Sequence, residues 1–294
     1  MYGRNRPLGN LSLASLAVGS IVRLDGVAGG LAYEHTGTVL AGVGDVNGDG
    51  KDDFVFNCDP TADAVACVIF GGAPLPETME VSSLAPPTGT FIGAGTSGVS
   101  DVTALSGGRI HGGPTGDILL GVYPSGPSPV AVAYVVFGRG SGIFAPIELS
   151  DLDFATGWKI VDGDWGSWVT SMSAMRDLDG DGVADLLVGT NTGGSQLGRW
   201  AYLLSPRGRS DFSSDIYNLN SPAEMVLCEE SLSGGLLNAT QIGDVLGSGM
   251  PAMLLSIGNA GPTPGGIYVV NGSDDIFRGD FDSDRQTVQQ ICQY

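Results

Sequence analysis

Positive charge is scarce in this chain: 13 of its 294 residues are lysine or arginine, against 32 aspartates and glutamates. Lysine is nearly absent, since Lys51 and Lys159 are the only two. The net charge of −19 argues against binding to nucleic acid or to an anionic membrane, because both are bound by basic patches. It is compatible with divalent cations or with a cationic partner.

Long apolar stretches are missing as well. No run approaches the roughly 18 residues that a membrane-spanning helix needs, so we predict no membrane insertion. The first 20 residues only loosely imitate a signal peptide, because Asn10, Ser12 and Ser15 interrupt their apolar part. We interpret this segment instead as an additional strand of the repeat described below.

Cysteine pairs of the CxxC type, which would indicate a zinc site, are absent. Cys58 and Cys67 lie in FNCDPTADAVACVIF, two apolar runs around a short loop. This pattern is typical of a hairpin whose facing cysteines reach disulfide geometry, and we predict that they are bonded. Cys228–Cys292 is a weaker second pair. Either bond would imply an oxidising compartment.

Catalytic motifs are lacking too. His35 and His111 are the only histidines, and no GxSxG nucleophile motif accompanies them. Carboxylates are abundant enough to supply an acid–base pair for glycan cleavage, but the sequence singles out no pair. We therefore predict no catalytic residue, no organic cofactor and no enzyme activity. A carbohydrate-active lyase or hydrolase is the alternative.

Glycine, in contrast, is abundant, and apolar strand-like segments recur with a regular period. The 48 glycines and 16 prolines indicate many turns. The segments CVIFGG, YVVFGR, AYLLSP and IYVVNG are 67, 67 and 66 residues apart, counted at Phe70, Phe137, Leu204 and Val270. A second apolar segment precedes each of them: DFVFNC, DILLGV, DLLVGT and AMLLSI. A linker and a further short strand follow the first three.

Four short β segments in about 66 residues indicate a blade of four antiparallel strands, and therefore an all-β propeller. We predict one domain over residues 1–294, with repeats at approximately 11–77, 78–145, 146–212 and 213–294 and extra strands at the two ends. A solenoid is the less favoured alternative. A terminal strand can close the ring, or strand exchange between subunits can build an assembly.

The segment GDVNGDGKDD has the ligand spacing of a calcium loop. Calcium takes six to eight oxygens from flexible carboxylates and carbonyls, and Gly50 permits the sharp turn that brings alternate side chains together. The predicted ligands are Asp45, Asn47, Asp49, the Lys51 carbonyl and Asp53.

A second complete loop, DLDGDGVAD, carries the same pattern. Its predicted ligands are Asp177, Asp179, Asp181, the Val183 carbonyl and Asp185. Neither loop is an EF-hand, because position 12 is Phe56 or Val188 rather than glutamate and the flanking segments are strands. We thus predict two calcium ions. The loops that we align with these at Asp101 and Asp244 are degenerate, and we expect no tight calcium there.

At this point the residues resemble a known family. GDVNGDGKDDFVF with VIFGG, and RDLDGDGVADLLVGT with AYLL, resemble FG-GAP repeats, the blades of the integrin α-subunit propeller. The resemblance extends over residues 11 to 290 and is strongest in the first and third repeats. It implies calcium between the first and second strands of a blade, and extracellular adhesion or recognition. Integrins have seven such blades, whereas four are recognisable here.

Three further features carry less weight. Arg278–Asp280 spells an adhesion tripeptide but lies in a linker copy. The tryptophans around the third repeat suit core packing better than stacking on a ligand. Asn10, Asn238 and Asn271 begin glycosylation sequons. The expected role is a non-enzymatic extracellular or cell-surface scaffold that presents a surface to a protein or glycan partner.

Overall fold

The structure is a computed structural model. It describes residues 21–26, 36–58, 64–124, 130–140, 145–153, 155–162, 168–177, 183–191, 199–204, 216–218, 225–228, 237–245, 247–249, 251–257 and 266–270. Within these ranges the chain is all-β, as predicted, with 19 strands numbered β1 to β19. Two short 3-10 helices, Val81–Ser83 and Leu149–Asp151, accompany the strands.

Four sheets follow one another along the chain, and within each the main strands form an antiparallel meander. Sheet 1 contains β2 (Leu40–Gly44), β3 (Asp53–Asn57), β4 (Ala64–Ile69) and β6 (Gly89–Gly93). Sheet 2 contains β7 (Val99–Gly108), β8 (Asp117–Pro124), β9 (Val130–Val136) and β11 (Gly157–Asp162). Sheet 3 contains β12 (Trp168–Ala174), β13 (Leu186–Asn191), β14 (Arg199–Leu204) and β16 (Met225–Cys228). Sheet 4 contains β17 (Leu237–Ile242), β18 (Ala252–Ile257) and β19 (Gly266–Val270).

Short strands from the linkers add to these sheets in parallel, which the prediction of exclusively antiparallel strands did not include. They are β5 (Thr78–Glu80), β10 (Ile147–Glu148) and β15 (Ile216–Asn218). β10 pairs with β6 and β15 pairs with β11, so each joins the fourth strand of the preceding sheet. β5 pairs in the same way with β1 (Arg23–Asp25).

The sheets are stacked on one another through their apolar faces. Alternate residues of a strand point to opposite faces, so a strand between two sheets is apolar throughout. On β8, Ile118 and Leu120 pack in the core shared with sheet 1, whereas Leu119 packs in the core shared with sheet 3. All three side chains are 0% exposed, so sheet 2 is buried on both faces.

The first strands of the four sheets surround one cavity of about 510 Å³. Equivalent residues of β7, β12 and β17, among them Ala104, Ser171 and Asn238, line it together with Val39, which immediately precedes β2. Thr103 Oγ1 donates to the Val169 carbonyl at 2.5 Å, and the Ala239 N–H donates to Ser171 Oγ at 2.9 Å. These bonds join the first strands of adjacent sheets. None of the sheets closes on itself.

One predicted disulfide is confirmed. Cys58, directly after β3, is bonded to Cys67 of β4 with an S–S distance of 2.03 Å. The bond closes the second hairpin of sheet 1, and both cysteines are buried. The pair Cys228–Cys292 lies outside the part of the chain whose side chains are described.

Candidate metal centre

The first predicted calcium loop connects β2 to β3, the first two strands of sheet 1. Gly44, Gly48 and Gly50 have φ of 70°, 75° and 83°, a left-handed conformation that residues with a Cβ rarely adopt. The loop therefore curls around the Asp45 side chain. Asp45 Oδ1 accepts the N–H groups of Gly48 at 2.7 Å and Asp49 at 3.1 Å, and Oδ2 accepts that of Gly50 at 2.8 Å.

Asn47 and Asp49 continue this inward arrangement. Asn47 Oδ1 accepts the Asp49 N–H at 3.0 Å, and Asp49 Oδ1 accepts the Lys51 N–H at 2.8 Å. Asn47 Nδ2 donates to Asp49 Oδ2 at 3.3 Å. The predicted side-chain ligands at the first, third and fifth positions are thus gathered in one loop, each hydrogen-bonded within it.

Asp53, the predicted closing ligand, is only 2% exposed. Its Oδ2 accepts the Val46 N–H at 2.8 Å, and its Oδ1 accepts the Gly71 N–H at 2.7 Å. Burial raises the pKa of this carboxyl above its ordinary value of 3.8, the two N–H bonds oppose the rise, and the charges of Asp49 and Asp45 add to it. The carboxylates are therefore close enough to repel one another.

The chemistry of this loop fits a hard divalent cation. A carboxylate oxygen has two lone pairs, so oxygens that already accept one N–H bond retain capacity for an ion. Bound calcium would relieve the repulsion that Asp53 experiences. In the described residues, however, no three His, Cys, Asp or Glu side chains form a group placed to hold a metal.

The second complete loop is described only in part. Asp177, Val183 and Asp185 are described, whereas Asp179 and Asp181 lie outside the described residues. Asp185 directly precedes β13, the position that Asp53 has in sheet 1, and is 1% exposed. The Asp185 carbonyl accepts the Met175 N–H at 2.7 Å. The closing carboxylates of both loops are thus buried at the start of a second strand.

The loop between β17 and β18 curls around Asp244 although it lacks the other predicted ligand residues. Asp244 Oδ1 accepts the Ser248 N–H at 2.9 Å and Oδ2 accepts the Gly249 N–H at 2.7 Å, as Asp45 does with Asp49 and Gly50. The Gly249 N–H in particular holds the pKa of Asp244 below its ordinary value. The closing position is Ala252, which has no side-chain oxygen. A curled loop around one carboxylate is therefore not by itself a metal site.

In sheet 2 the alignment of Asp101 with the first loop position is wrong. Asp101 lies inside β7, and its Oδ1 accepts the N–H of Val102. The loop between β7 and β8 is the nine-residue segment RIHGGPTGD, so Arg109 takes the position of Asp45 and His111 that of Asn47. Counting nine residues back to the closing aspartate would have found the correct alignment.

The closing aspartate of this loop, Asp117, is fully buried and keeps the contacts of Asp53. Its Oδ2 accepts the Ile110 N–H at 2.6 Å and the His111 N–H at 3.0 Å, and its Oδ1 accepts the Gly138 N–H at 3.0 Å. His111 Nδ1 lies 2.5 Å from Oδ1, and its ring stacks on Phe137 at 4.8 Å. An imidazole thus contacts the carboxylate that a metal would contact in sheet 1.

The remaining candidate residues are distributed as follows. Trp158 packs in the core between sheets 2 and 3 with its ring edge on Phe137, as expected for a core residue. The rings of Trp168 and Tyr123 are in contact, with their centroids 5.7 Å apart. His35 and the Arg278–Asp280 tripeptide lie outside the described residues.

No protein-family model matches the chain, and a search of curated proteins gives no match. Function must therefore be inferred from the loops, the cavity and the sheet edges.

Proposed function

We propose that the chain is a calcium-stabilised, non-enzymatic β-propeller in which sheets 1 to 4 are the blades. It would act outside the cell as a scaffold for adhesion, recognition or structural assembly. The observation that carries this proposal is the loop from Asp45 to Asp53, with two acidic side chains near a buried third. The cavity lined by equivalent residues of the four sheets supports the propeller arrangement.

Calcium would act through folding. Asp45, Asn47, Asp49, the Lys51 carbonyl and Asp53 would hold the first ion, and the equivalent residues of Asp177–Asp185 the second. An ion that binds only the folded chain stabilises it by mass action, about 2.7 kcal/mol at a free concentration of 100 times Kd. The loop also contacts sheet 2, because Asp45 and Val46 carbonyls accept the N–H groups of Gly116 and Arg139. Fixing the loop would thus stiffen the contact between two sheets.

Two observations support a location outside the cell. The Cys58–Cys67 disulfide is the kind of bond that persists in oxidising compartments. The strongly negative charge would suit a medium where calcium is plentiful. Among the described residues no helix is long and apolar enough to cross a membrane.

The cavity favours a scaffold over a carbohydrate-active enzyme. Its described lining is threonine, serine, asparagine and apolar residues, without a carboxylate. Glycoside hydrolysis uses a pair of carboxylates on either side of the scissile bond, and this lining offers none. The hydroxyls of Thr103 and Ser171 are also engaged in bonds between sheets.

Thermal unfolding with calcium and with chelator tests the proposal. We expect calcium to raise the melting temperature and elemental analysis to find two ions per chain. In the variant Asp49→Asn, which keeps an oxygen for the Lys51 N–H, the ion count should fall to one. The control Asp244→Asn changes the degenerate fourth loop and should leave both readouts unchanged. An unchanged melting temperature of the parent protein, with no bound metal, would contradict the proposal.

A further inference from the structure

Sheet 4 differs from the other sheets in the number of its described strands. Sheets 1, 2 and 3 each place a fourth antiparallel strand against the third one, namely β6 on β4, β11 on β9 and β16 on β14. In sheet 4 the third strand, β19, pairs with β18 on one edge and with no described strand on the other. Among the described residues β19 thus presents an open edge, which in β proteins is a template for pairing with another strand.

A tyrosine–valine pair occurs in both β9 and β19, and its side chains are buried in β9 but exposed in β19. Tyr134-Val135 of β9 and Tyr268-Val269 of β19 occupy equivalent positions in the register of their sheets. Tyr134 is 1% exposed and Val135 0%, whereas Tyr268 is 52% exposed and Val269 44%. Ile267 is 71% exposed. β19 has the sequence of a covered strand but is uncovered among the described residues.

At the other end of the array, one face of sheet 1 is exposed in part, although Phe56 and Ile69 on that face are buried. Ile118 of β8 and Leu186 of β13 face the preceding sheet and are 0% and 2% exposed. Phe54 is their equivalent in β3 and is 36% exposed. On the same face Leu40 is 70% exposed, whereas its equivalent Met172 in sheet 3 is 6% exposed. This face has the pattern of one that another sheet covers.

β1 has the pairing of a fourth strand, but the described strands include no first, second and third strand of the same sheet. It receives the linker strand β5 in parallel, as β6 receives β10 and β11 receives β15. Leu24 of β1 packs against the cluster of Phe56, Cys67 and Ile69 on sheet 1. The edge of β1 away from β5 has no described partner.

We propose that a second copy of this chain covers these surfaces. β1 of one copy would pair antiparallel with β19 of another and complete its sheet 4. Sheet 1 of the first copy would then pack on sheet 4 of the second, as sheet 2 packs on sheet 1 within one chain. This inference rests on the proposed function, because it takes the chain to be a scaffold and names a second copy as its partner.

Two observations favour a second copy over closure within one chain. The first strands β2 and β17 already line the same cavity, yet Phe54 of sheet 1 and Tyr268 of sheet 4 remain exposed. Within this chain β1 pairs with β5 and lies in a different sheet from β19. One chain therefore displays an open fourth strand and an open third strand together. Such a heterologous pair of surfaces joins copies head to tail.

The register of this pairing follows from the repeat. Met79 and Ile147 both precede a glutamate and a 3-10 helix, so they are equivalent. Met79 pairs with Leu24 and Ile147 pairs with Ile92, which makes Leu24 the equivalent of Ile92. Arg23 is then the equivalent of Phe91.

Phe91 pairs with Cys67, whose place in sheet 4 is taken by Tyr268. Arg23 of one copy should therefore lie opposite Tyr268 of the next. Both positions accept substitution, since the Arg23 side chain is 74% exposed and Tyr268 is 52% exposed. Cβ atoms of directly opposite residues lie about 4.5–5.5 Å apart, within reach of a disulfide after small adjustment.

Cysteine crosslinking tests this contact in the full-length chain. Arg23→Cys and Tyr268→Cys proteins would be mixed under mild oxidation and run on a non-reducing gel. We expect a covalent dimer that contains one copy of each variant, and a ladder of larger species from the double variant. The control mixes Arg23→Cys with Val245→Cys, a residue of the loop between β17 and β18 that is 59% exposed, and should give no dimer above the parent background.

Sedimentation of the parent and of Tyr268→Lys provides the second readout. The parent should form larger species as its concentration rises, and a lysine on the open edge should abolish them because charge blocks strand addition. A double cysteine variant that crosslinks only within one chain would overturn the inference, as would a parent that is monomeric at every concentration. Arg23 and Tyr268 lie outside the metal loops. Failure here with an intact calcium effect therefore contradicts only this inference.

Discussion

One residue position, the buried aspartate that closes the loops of sheets 1, 2 and 3, has two kinds of surroundings in this protein. In sheet 1, Asp53 lies near Asp45 and Asp49, whose charges raise its pKa further. In sheet 2, Asp117 keeps the same backbone contacts but is approached by the His111 imidazole instead. A buried carboxylate needs hydrogen-bond donors or a cation. Backbone N–H groups donate to both aspartates, and in sheet 2 the imidazole contact is added.

We expect the replacement Asp117→Ala to lower the free energy of unfolding by about 3 kcal/mol, since it leaves three buried N–H groups without an acceptor. Asp244→Ala removes a carboxylate with similar N–H bonds but in an exposed loop, where water can replace it. Its expected cost is below about 1 kcal/mol. Urea unfolding of both variants measures the difference. Equal losses would show that the burial of Asp117 does not matter.

The sequence was sufficient to locate the acidic and amide side chains that the first loop gathers, because they lie within nine residues. It was not sufficient for Arg109 and His111. The loop positions were counted from Asp101, an acid that belongs to a strand. Nothing local distinguishes an aspartate in a strand from one at the start of a loop. The distinction depends on which residues β8 pairs with.

At the scale of elements, the first loop is also a contact between sheets. The Arg139 N–H donates to the Val46 carbonyl at 2.9 Å, and the Gly116 N–H donates to the Asp45 carbonyl at 2.7 Å. A Cβ on Gly48 would lie 2.6 Å from the Gly140 Cα. Glycine is therefore required at position 48 both for its φ of 75° and for this close approach.

Two glycine substitutions distinguish the cost of the left-handed backbone from the cost of the close approach to Gly140. Gly37 has a φ of 79°, and a Cβ added there would have no atom within 4 Å, so Gly37→Ala should cost only the left-handed strain, about 1 kcal/mol. Gly48→Ala adds the contact with Gly140 and should cost about 2–3 kcal/mol. It should also weaken the stabilisation by calcium, which Gly37→Ala should not. Equal unfolding midpoints for the two variants would contradict the close approach.

Strands that are long enough to show a recurring apolar pattern could be predicted from the sequence. The apolar segments that recur in the sequence are the second and third strands of each sheet, such as β3 and β4. The linker strands β5, β10 and β15 have only two or three residues, too few for a periodic signal. Their parallel pairing is determined by how one sheet packs on the next, which no short window of sequence contains.

At the scale of the whole molecule, the net charge of −19 acts on every sheet. Like charges on one chain repel in the compact state, and salt screens them, with a Debye length of about 10 Å at 0.1 M and 3 Å at 1 M. Sodium chloride should therefore stabilise this protein without any specific site. Calcium should differ if it binds as proposed, because it would act at a fixed set of oxygens and at far lower concentration.

We expect melting temperatures in chelator to rise between about 0.05 M and 1 M sodium chloride, and millimolar calcium to add a further increase at constant ionic strength. Magnesium should add less, because it demands near-ideal octahedral geometry and loses its waters reluctantly. In Asp49→Asn, sodium chloride should raise the melting temperature as much as in the parent protein, whereas calcium should raise it less. If calcium and an equivalent ionic strength of sodium chloride act identically on both proteins, the loops are acidic turns, and general screening accounts for the ion dependence of the molecule.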